Sequence, residues 1–483
     1  MRTVCISVAA LLSGCNLIPS SSNKHQLKSG ATTQNLSQVE AVSFQSLKSP
    51  NGAELVLASG QEAAKVELPS GGSAWAGIAD DSTGAKRLFV RADGKATFLS
   101  ANRPEGLTTW KGVVYFTAED SEGARGLYKT DGSAVSRVET QLHGARIVGV
   151  TPDYLYVAGA AAEGGSKLYR WSGTQLERVS DTRGDLSKND DPRDVVASGS
   201  RVFFTALIDD GARKLFKVSG DSAQVVTSTR KDEGTGADDP YLDDAPELLK
   251  AGPVAGELYF VALLSNGVTK LYRTDGTDTQ RVSETSGSMT VSDQISAVEV
   301  VGSSTYFLAR NPDGKSLAYQ ADEPARGRSS VLTFGFGDSV HYQVRQILSQ
   351  GSQLYLVLRF DEATDKLFKI DSGGIHLVAN FGGVPGASDE VTLLGLGANQ
   401  ELFFLAKDPS GARNLFYSTG TSYYRVTDWS AGQGNPWGKW KNECAEGGGS
   451  LLTGGSHSVG FSLLVPNGSG GCDKTSVLIN WTG

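Results

Sequence analysis

Residues 146–180 read RIVGVTPDYLYVAGAAAEGGSKLYRWSGTQLERVS, and this stretch decides the fold. It holds four short apolar segments, RIVGV, YLYVAG, KLYRW and QLERV, separated by Pro, Gly, Ser and Asp residues that are typical of turns. Segments this short, with turn signals between them, favour antiparallel strands over helices. We therefore predict one four-stranded antiparallel unit for this stretch.

The same unit recurs along the chain. Its signature is a strand, a loop rich in Gly or Asp, and then a Leu-aromatic-basic triplet, as in VVYFTAEDSEGARGLYKTDGS from Val113 and ELYFVALLSNGVTKLYRTDGT from Glu257. The motif leucines lie 39 to 56 residues apart, and they are Leu88, Leu127, Leu168, Leu215, Leu271, Leu317, Leu367 and Leu415. A ninth copy, LINWTG from Leu478, ends the chain. Four antiparallel strands at this period are typical of the blades of a β-propeller.

We therefore predict an all-β fold, a β-propeller of four-stranded antiparallel blades over residues 51–483, with eight or nine blades and seven as a further option. The aromatic-rich second strand of each unit lacks clean alternation, which indicates burial on both faces. Asp-Gly and Ser-Gly pairs after the third strand indicate two-residue turns. The segment AELVLAS from Ala53 precedes the first unit and is expected to pair with the last blade, closing the ring. An open solenoid or two smaller propellers are the alternatives.

Two copies of the motif carry a family resemblance. LYKTDGS at residues 127–133 and LYRTDGT at residues 271–277 resemble the bacterial ELWxxDGT repeat, and the likeness extends over about residues 75–483. The resemblance implies an exported, surface-associated protein and supplies no catalytic residue. In overall plan the chain also resembles the propeller lipoprotein of the outer-membrane barrel assembly machinery.

The first residues, MRTVCISVAALLSGC, predict export and lipidation. Arg2 gives a positive start, a short apolar run follows, and Leu12-Ser13-Gly14-Cys15 is similar to a lipobox, in which the Cys thiol accepts diacylglycerol. We expect residues 1–14 to be a signal peptide and Cys15 to anchor the chain to a membrane, with the outer membrane as the expected site. A simple secretory signal or a core strand is the alternative. Residues 15–50, rich in Ser, Asn, Gln and Lys, are expected to form a flexible tether.

Two cysteines remain after Cys5 leaves with the signal and Cys15 takes the lipid. Cys444 and Cys472 are predicted to form a disulfide, because oxidising compartments outside the cytoplasm favour bridging. Two free thiols are the alternative. A metal site is disfavoured, since two cysteines without clustered histidines do not complete four ligands.

Acidic loops form the most conspicuous polar cluster. Residues 181–194 read DTRGDLSKNDDPRD and residues 232–244 read DEGTGADDPYLDD, both between the last strand of one unit and the first strand of the next. The candidate residues for a cation or ligand rim are Asp190, Asp191, Asp238, Asp239, Asp243 and Asp244. Hard cations such as Ca²⁺ need several carboxylate oxygens at once. Solvated loops whose Asp residues cap turns are the alternative, and the spacing does not match a DxDxDG loop.

Catalytic and nucleic-acid-binding signatures are absent from the sequence. The five histidines form no HExxH pair, there is no GxSxG elbow, and the Gly-rich stretches lack the Lys-Ser/Thr of a phosphate loop. A net charge of −8 disfavours nucleic acid as a partner, because phosphate binding needs a basic face. Trp429, Trp437 and Trp440 in the C-terminal part are expected either to bind a sugar or protein or to plug the ring closure.

These observations predict a monomeric, lipid-anchored binding or scaffolding module for envelope proteins or glycans, with no catalytic residue and no cofactor beyond a Ca²⁺ option. The alternatives are a glycan-active enzyme that uses rim carboxylates at glycosidase spacing and a structural surface protein without a dedicated ligand.

Overall fold

The computed structural model describes residues 101–427, apart from 139–141, 162–163, 227–228, 230–242, 322–328, 333–340, 361–363, 372–373, 380, 384–386, 397–400 and 420–421, together with the strands and some side chains on either side of that range. The described residues form strands, turns and loops without a helix, which confirms the predicted all-β class. They accordingly contain no helical segment that would cross a membrane.

Three strands precede the blades: β1 (Thr33–Asn35), β2 (Phe44–Lys48) and β3 (Glu54–Ala58). Blade 1 comprises β4 (Glu62–Glu67), β5 (Ser73–Asp80), β6 (Lys86–Ala92) and β7 (Lys95–Leu99). Blade 2 comprises β8 (Asn102–Trp110), β9 (Val113–Glu119), β10 (Arg125–Thr130) and β11 (Val135–Arg137). Blade 3 comprises β12 (His143–Val150), β13 (Leu155–Ala160), β14 (Ser166–Trp171) and β15 (Leu176–Arg178). Blade 4 comprises β16 (Arg193–Ser198), β17 (Arg201–Leu207), β18 (Arg213–Ser219) and β19 (Ser222–Val225).

The second half of the chain repeats this plan. Blade 5 comprises β20 (Glu247–Ala251), β21 (Leu258–Leu263), β22 (Thr269–Thr274) and β23 (Thr279–Arg281). Blade 6 comprises β24 (Ala297–Val301), β25 (Ser304–Arg310), β26 (Ser316–Ala321) and β27 (Ser329–Val331). Blade 7 comprises β28 (Tyr342–Gln350), β29 (Gln353–Phe360), β30 (Thr364–Asp371) and β31 (Gly374–Leu377). Blade 8 comprises β32 (Thr392–Leu396), β33 (Leu402–Lys407), β34 (Arg413–Ser418) and β35 (Tyr423–Arg425), and blade 9 contributes β36 (Ser450–Gly455), β37 (Ser458–Pro466) and β38 (Cys472–Asn480).

The blades follow one another around a ring. In blades 1 to 8 the four strands pair antiparallel in chain order, as the repeat predicts. The first strand of each blade contacts the first strand of the next, from β4 through β8, β12, β16, β20, β24, β28 and β32 to β36, and β36 contacts β4. The described sheets therefore form a nine-bladed β-propeller, at the upper end of the predicted range, and the cyclic contacts exclude an open solenoid.

The N-terminal strand β3 completes blade 9. It pairs antiparallel with β38, with Glu54 opposite Asn480 and Ala58 opposite Ser476, so the predicted pairing of the segment from Ala53 with the last blade is confirmed. The strands β2 and β1 extend the same sheet outward to six strands. Both of these strands fall within residues 15–50, the stretch predicted as a tether.

The apolar core lies between neighbouring blades. In β13, Leu155 and Val157 pack with blade 2, whereas Tyr156 packs with Phe204 and Phe216 of blade 4. Successive side chains of a strand point to opposite faces, so a second strand between two blades needs apolar residues at every position. This arrangement confirms burial of the aromatic-rich strands on both faces and explains their missing alternation.

The turns after the third strands only partly match the prediction. Blade 4 has a two-residue turn, Gly220-Asp221, between Ser219 and Ser222. In blades 2 and 5 the connection has four residues instead, 131–134 and 275–278, so the prediction of a two-residue turn is wrong there. Asp131 accepts hydrogen bonds from the backbone N–H groups of Ser133 and Ala134, and Gly132 takes a φ of 91°, which together close the longer loop.

Candidate functional site

The loops between blades and the loops between second and third strands lie on one face of the ring. This follows from the meander, because antiparallel strands bring these two sets of connections to the same ends. We call it the rim face, and we call its inner border, where the first strands begin, the axial edge. Both predicted acidic loops belong to the rim face, and contacts such as Arg183 Nη2 to the backbone oxygen of Asp209 join its loops across blades 3 and 4.

A buried lysine and aspartate hold the first acidic loop. Lys167, on the third strand of blade 3, donates from Nζ to Asp190 Oδ1 at 2.8 Å, to Asp181 Oδ1 at 2.9 Å and to the backbone oxygen of Asp185 at 2.8 Å. The second carboxylate oxygen of Asp190 accepts the Ser180 hydroxyl at 2.9 Å. Lys167 and Asp190 are both fully buried, so each ion needs the other as its partner. We call this arrangement a latch.

The latch recurs in three further blades. The equivalent Nζ–Oδ1 pairs are Lys214–Asp244 at 3.0 Å, Lys270–Asp293 at 2.8 Å and Lys366–Asp389 at 2.9 Å. All of these side chains are buried. Blade 8 carries a neutral version, in which Asn414 replaces the lysine and its Oδ1 accepts the Thr427 hydroxyl at 3.1 Å.

Each latch also joins two blades. The backbone oxygen of Asp190 accepts the N–H of Leu207, at the end of the second strand of blade 4, at 2.7 Å. The backbone oxygens of Asp244, Asp293 and Asp389 accept the corresponding N–H of the following blade at 2.9, 2.9 and 2.7 Å. The latch aspartates therefore fix the rim-face loops and the spacing between blades at the same time.

Two latch carboxylates differ in their electrostatic setting. Burial would raise the pKa of Asp293, but hydrogen bonds from Lys270, Ser283 and the Ser286 N–H outweigh it and hold the pKa below its usual range. Burial raises the pKa of Asp389 above its usual range despite the bonds from Gly382 and Lys366.

A serine that is present in two of the other latches explains part of this difference. Asp389 Oδ2 accepts no hydrogen bond within the described residues, whereas Asp190 Oδ2 and Asp293 Oδ2 each accept a serine hydroxyl. Ala379 stands at the position that Ser180 and Ser283 occupy, since each directly follows the Val whose N–H binds the motif leucine. A methyl group at this position has no proton to offer the carboxylate.

The residue after each latch aspartate adopts a left-handed conformation. Asp191, Ala245, Gln294 and Glu390 have φ angles of 42°, 41°, 48° and 44°. Non-glycine residues rarely adopt this conformation, and such positions persist only where the surrounding structure holds them. The chain thus turns sharply from each latch into the first strand of the next blade, at the axial edge.

Three arginines converge on one of these residues, Asp191. Arg146 Nη2 of β12 lies 3.3 Å from Asp191 Oδ1, and Arg193 Nη2 of β16 lies 2.5 Å from Oδ2, which also binds Nη2 of Arg213 of β18. Arg213 Nη1 donates to the Asp191 backbone oxygen at 2.9 Å. Burial lowers the pKa of the Arg213 guanidinium, against the opposing charge of Asp191. Residues from two adjacent blades therefore meet in one charged cluster, which we call the Asp191 cluster.

The predicted rim residues fall into four groups. Asp190 and Asp244 are latch residues, bound by lysine. Asp191 belongs to the arginine cluster, and Asp243 accepts backbone N–H groups of Arg213 at 3.0 Å and Ala245 at 2.8 Å. The remaining two, Asp238 and Asp239, lie outside the described residues. Over the described part of the chain, no group of three or more His, Cys, Asp or Glu residues is placed to hold a metal ion. The cation or ligand rim stays a prediction.

The other predicted sites are not covered by the described side chains. Cys15 and Cys444 lie outside the described residues, as do Trp429, Trp437 and Trp440. Cys472 is the first residue of β38, for which only the strand is described. The lipid anchor and the disulfide therefore stay predictions.

Sequence reasoning missed the latch lysines. Their signal is the residue directly before the motif leucine, which is Lys in KLYR, KLFK, KLYR and KLFK of blades 3, 4, 5 and 7. A strand buried on both faces offers no solvent to a lysine, so a recurrent Lys there indicates a buried counter-ion. The acidic loop 23 residues further on, in three of the four blades, supplies that counter-ion.

The sheets and their cyclic contacts define the class of protein as a β-propeller. No protein-family model matches the chain, and no curated protein matches it. Among solved structures, a puromycin-hydrolyzing peptidase of Mycobacterium tuberculosis is similar over 75% of this chain at 11% identity and a TM-score of 0.38. The chain spans 57% of the length of that peptidase.

Two further structures are similar to parts of the ring. The β-propeller domain of the Trilobed protease from Pyrococcus furiosus covers 76% of this chain and 99% of its own, at 12% identity and a TM-score of 0.35. Aleuria aurantia lectin in complex with α-methyl-L-fucoside covers 58% of this chain and 97% of its own, at 13% identity and a TM-score of 0.27.

Proposed function

We propose that this chain is a lipid-anchored protein of the bacterial cell envelope, similar in its repeats to the ELWxxDGT proteins, whose propeller is a binding or scaffolding module for envelope proteins or glycans. The observation that carries the proposal is the build of the rim face. The buried latches fix its loops to the third strands of the blades, while charged side chains at the axial edge stay exposed to solvent. A face held in one conformation before binding loses little conformational freedom when a partner arrives.

The membrane anchor rests on the lipobox and on Cys15. In the producing bacterium, the wild-type chain should incorporate a metabolic fatty-acid label and fractionate with membranes. Cys15→Ala should abolish both, because no other residue of the motif offers a thiol to diacylglycerol. Cys5→Ala is the matched control and should keep both, since Cys5 lies in the segment that is removed. Labelling of the Cys15→Ala chain would contradict the anchor.

The binding role is tested by crosslinking in intact cells, followed by affinity purification from solubilised membranes. We expect one envelope protein or glycan to be recovered at a fixed ratio to the propeller. Recovery of no stoichiometric partner, together with turnover of a glycan by the purified chain, would overturn the binding module in favour of an enzyme.

Calcium binding by the rim carboxylates stays open to a direct test. Because Lys167 and Lys214 already bind Asp190 and Asp244, a Ca²⁺ ion at these residues would have to displace a buried ammonium group. Titration calorimetry with Ca²⁺, together with a melting curve, measures this. If Ca²⁺ produces no heat and no shift of the melting temperature, calcium binding at these residues is excluded.

A further inference from the structure

We infer that the Asp191 cluster is a binding site for an oxyanion, a carboxylate or phosphate group, carried by an envelope glycan. The inference rests on the proposed function only in the choice of a glycan as the carrier. The site itself is argued from the charges, hydrogen bonds and exposure of Arg146, Asp191, Arg193 and Arg213.

The cluster is positive although the whole chain has a net charge of −8. Three guanidinium groups surround the single carboxylate of Asp191 within 3.3 Å. A second carboxylate, that of Asp194, lies near Arg213 and still leaves the cluster with one surplus positive charge. An anion that enters the cluster therefore finds an uncompensated cation, whereas Lys188 on the same face is paired with Asp209.

Two of the three arginines have donors to spare. The side chains of Arg146 and Arg193 are 50% and 51% exposed, and each is bound to protein through Nη2 alone within the described residues. A guanidinium carries five N–H donors in a planar fork that fits the two oxygens of a carboxylate or phosphate. The unused donors of these two residues, one from each of two neighbouring blades, are thus available to a ligand in solvent.

The cluster is held in place before any ligand binds. Asp191 follows the buried Asp190 latch, and both Asp191 and Asp194 have left-handed φ angles, of 42° and 54°. The strand pairing shifts register between Arg193 and Val196, which marks a β-bulge at the axial edge. Bulges of this kind re-aim side chains, and a pre-set arrangement lowers the entropic penalty of binding.

A comparison with blade 8 shows which arginine of the Asp191 cluster has a structural role that recurs elsewhere in the chain. In blade 8, Arg413 Nη2 donates to the backbone oxygen of Glu390 at 2.8 Å, as Arg213 does to Asp191. Glu390 is balanced there by one further cation, Lys407, at 2.9 Å. Arg213 therefore has a repeated structural role, whereas Asp191 binds two additional cations, Arg146 and Arg193, where Glu390 binds one.

The test uses the full chain and the double variant Arg146→Gln/Arg193→Gln. Arg178→Gln is the matched control, because Arg178 is exposed on the outermost strand of blade 3, away from the cluster. Calorimetry is run with oligogalacturonate for the carboxylate source, a phosphorylated oligosaccharide for the phosphate source, inorganic phosphate alone, and neutral maltohexaose. We expect at least one of the two acidic glycans to bind wild type and the control alike, and to bind the double variant about tenfold more weakly or less.

A second variant is expected to raise the affinity for the acidic glycan. Asp191→Asn removes the competing carboxylate, keeps the side-chain shape and suits a left-handed φ, so the fold is retained. We expect tighter binding of the same acidic glycan, by about threefold to tenfold, with a steeper dependence on salt. A purely structural cluster would show lower stability in this variant and no gain in affinity.

Three outcomes would overturn the inference: equal binding of the acidic glycan to wild type and the double variant, binding of maltohexaose as tight as that of the acidic glycans, or no binding of any acidic probe. Crosslinking in cells with the double variant keeps the two proposals apart. Recovery of the same stoichiometric protein partner with wild type and double variant, without any glycan binding, would leave the binding module in place and discard the oxyanion site.

Discussion

At the scale of single residues, the latch shows how a buried ion pair depends on its full set of hydrogen bonds. Asp293 has both oxygens bound, one by Lys270 and one by the Ser283 hydroxyl at 2.6 Å. Asp389 has one oxygen without a donor, because Ala379 takes the place of the serine. A buried polar atom left unsatisfied destabilises a protein by about 1–3 kcal/mol. The same fold therefore contains a complete latch and an incomplete one for comparison.

Ala379→Ser should stabilise the protein by about 1 kcal/mol at neutral pH, since the new hydroxyl can donate to Asp389 Oδ2. Urea unfolding of variant and wild type measures the change. The new hydrogen bond stabilises the ionised form of Asp389 most, because that form carries the charge. Burial raises the pKa of Asp389, so the added stability should shrink as pH falls through that raised pKa. The same replacement at Ala321, a buried position on β26 away from any latch, is the control and should not stabilise; a gain of equal size there would contradict the account.

Ser283→Ala should do the reverse in blade 5, destabilising the protein by about 1–3 kcal/mol at pH 7. The lowered pKa of Asp293 means that its ionised latch adds stability above the ordinary value of 3.8, and that this stability is lost as pH falls through the lower folded-state pKa. The difference between wild type and variant should therefore vanish in acid. Unfolding measured from pH 7 down to pH 2 checks this, and a difference independent of pH would exclude the carboxylate as its cause.

At the scale of strands, each second strand contributes side chains to the apolar cores on both of its faces. Each first strand packs closely against the first strand of the next blade. Phe203 faces blade 5 and Phe204 faces blade 3, so one strand closes both interfaces. On the inner side, a Cβ added to Gly149 of β12 would lie 2.6 Å from Val195 Cβ and 2.7 Å from the Val195 backbone oxygen of the next blade. The small residue at 149 therefore sets how closely blades 3 and 4 approach at the axis.

Gly149→Ala should destabilise the protein by about 1–3 kcal/mol, because the two first strands must move apart. Val195→Gly in the same chain should recover only part of the loss, since it removes the Cβ that the added methyl group meets while the backbone oxygen still blocks that group. A double-mutant cycle by urea unfolding measures the recovery. Gly144→Ala in the same strand is the comparison. Gly144 has open space around its Cβ position and a left-handed φ of 61°, so this variant measures the effect of backbone strain without a clash.

At the scale of the whole molecule, the ring is closed by residues from its two ends. The strand β3 pairs with β38, and β36 contacts β4, so the last blade is built from both termini of the domain. Closure removes the exposed edge that an open array of sheets would present to other chains. The ninth blade is composite, because the C-terminal part of the chain contributes three of its strands and the N-terminal part contributes the fourth.

Removal of residues 1–58 should lower the melting temperature and cause concentration-dependent association, because the edge of β38 loses its partner. Light scattering and thermal melting at several protein concentrations test this. A chain that starts at residue 50 keeps β3 and is the control. An unchanged, monomeric truncated chain would show that the pairing of β3 with β38 adds nothing to the closure.

How much of this was predictable from sequence differs between fold and site. Hydrophobic periodicity and turn residues are local, so the repeat around Leu168 and Leu271 predicted the strands, the blades and the closing segment from Ala53. The turn lengths were predicted less well, since Asp131 accepts hydrogen bonds two and three residues ahead and closes a longer loop. Charge alone suggested an acidic rim, because the lysines that neutralise Asp190 and Asp244 lie on strands 23 and 30 residues earlier.

The sequence by itself determined the all-β class, the period of the blades and the residues available for charge pairing. Only the tertiary structure decided which charges meet: Lys167 with Asp190 inside the rim face, and Arg146, Arg193 and Arg213 around Asp191 at the axial edge. The physical reason is range. Alternation and turn chemistry act over a few neighbouring residues, whereas an ion pair depends on where the folded ring brings side chains from different strands within about 3 Å of one another.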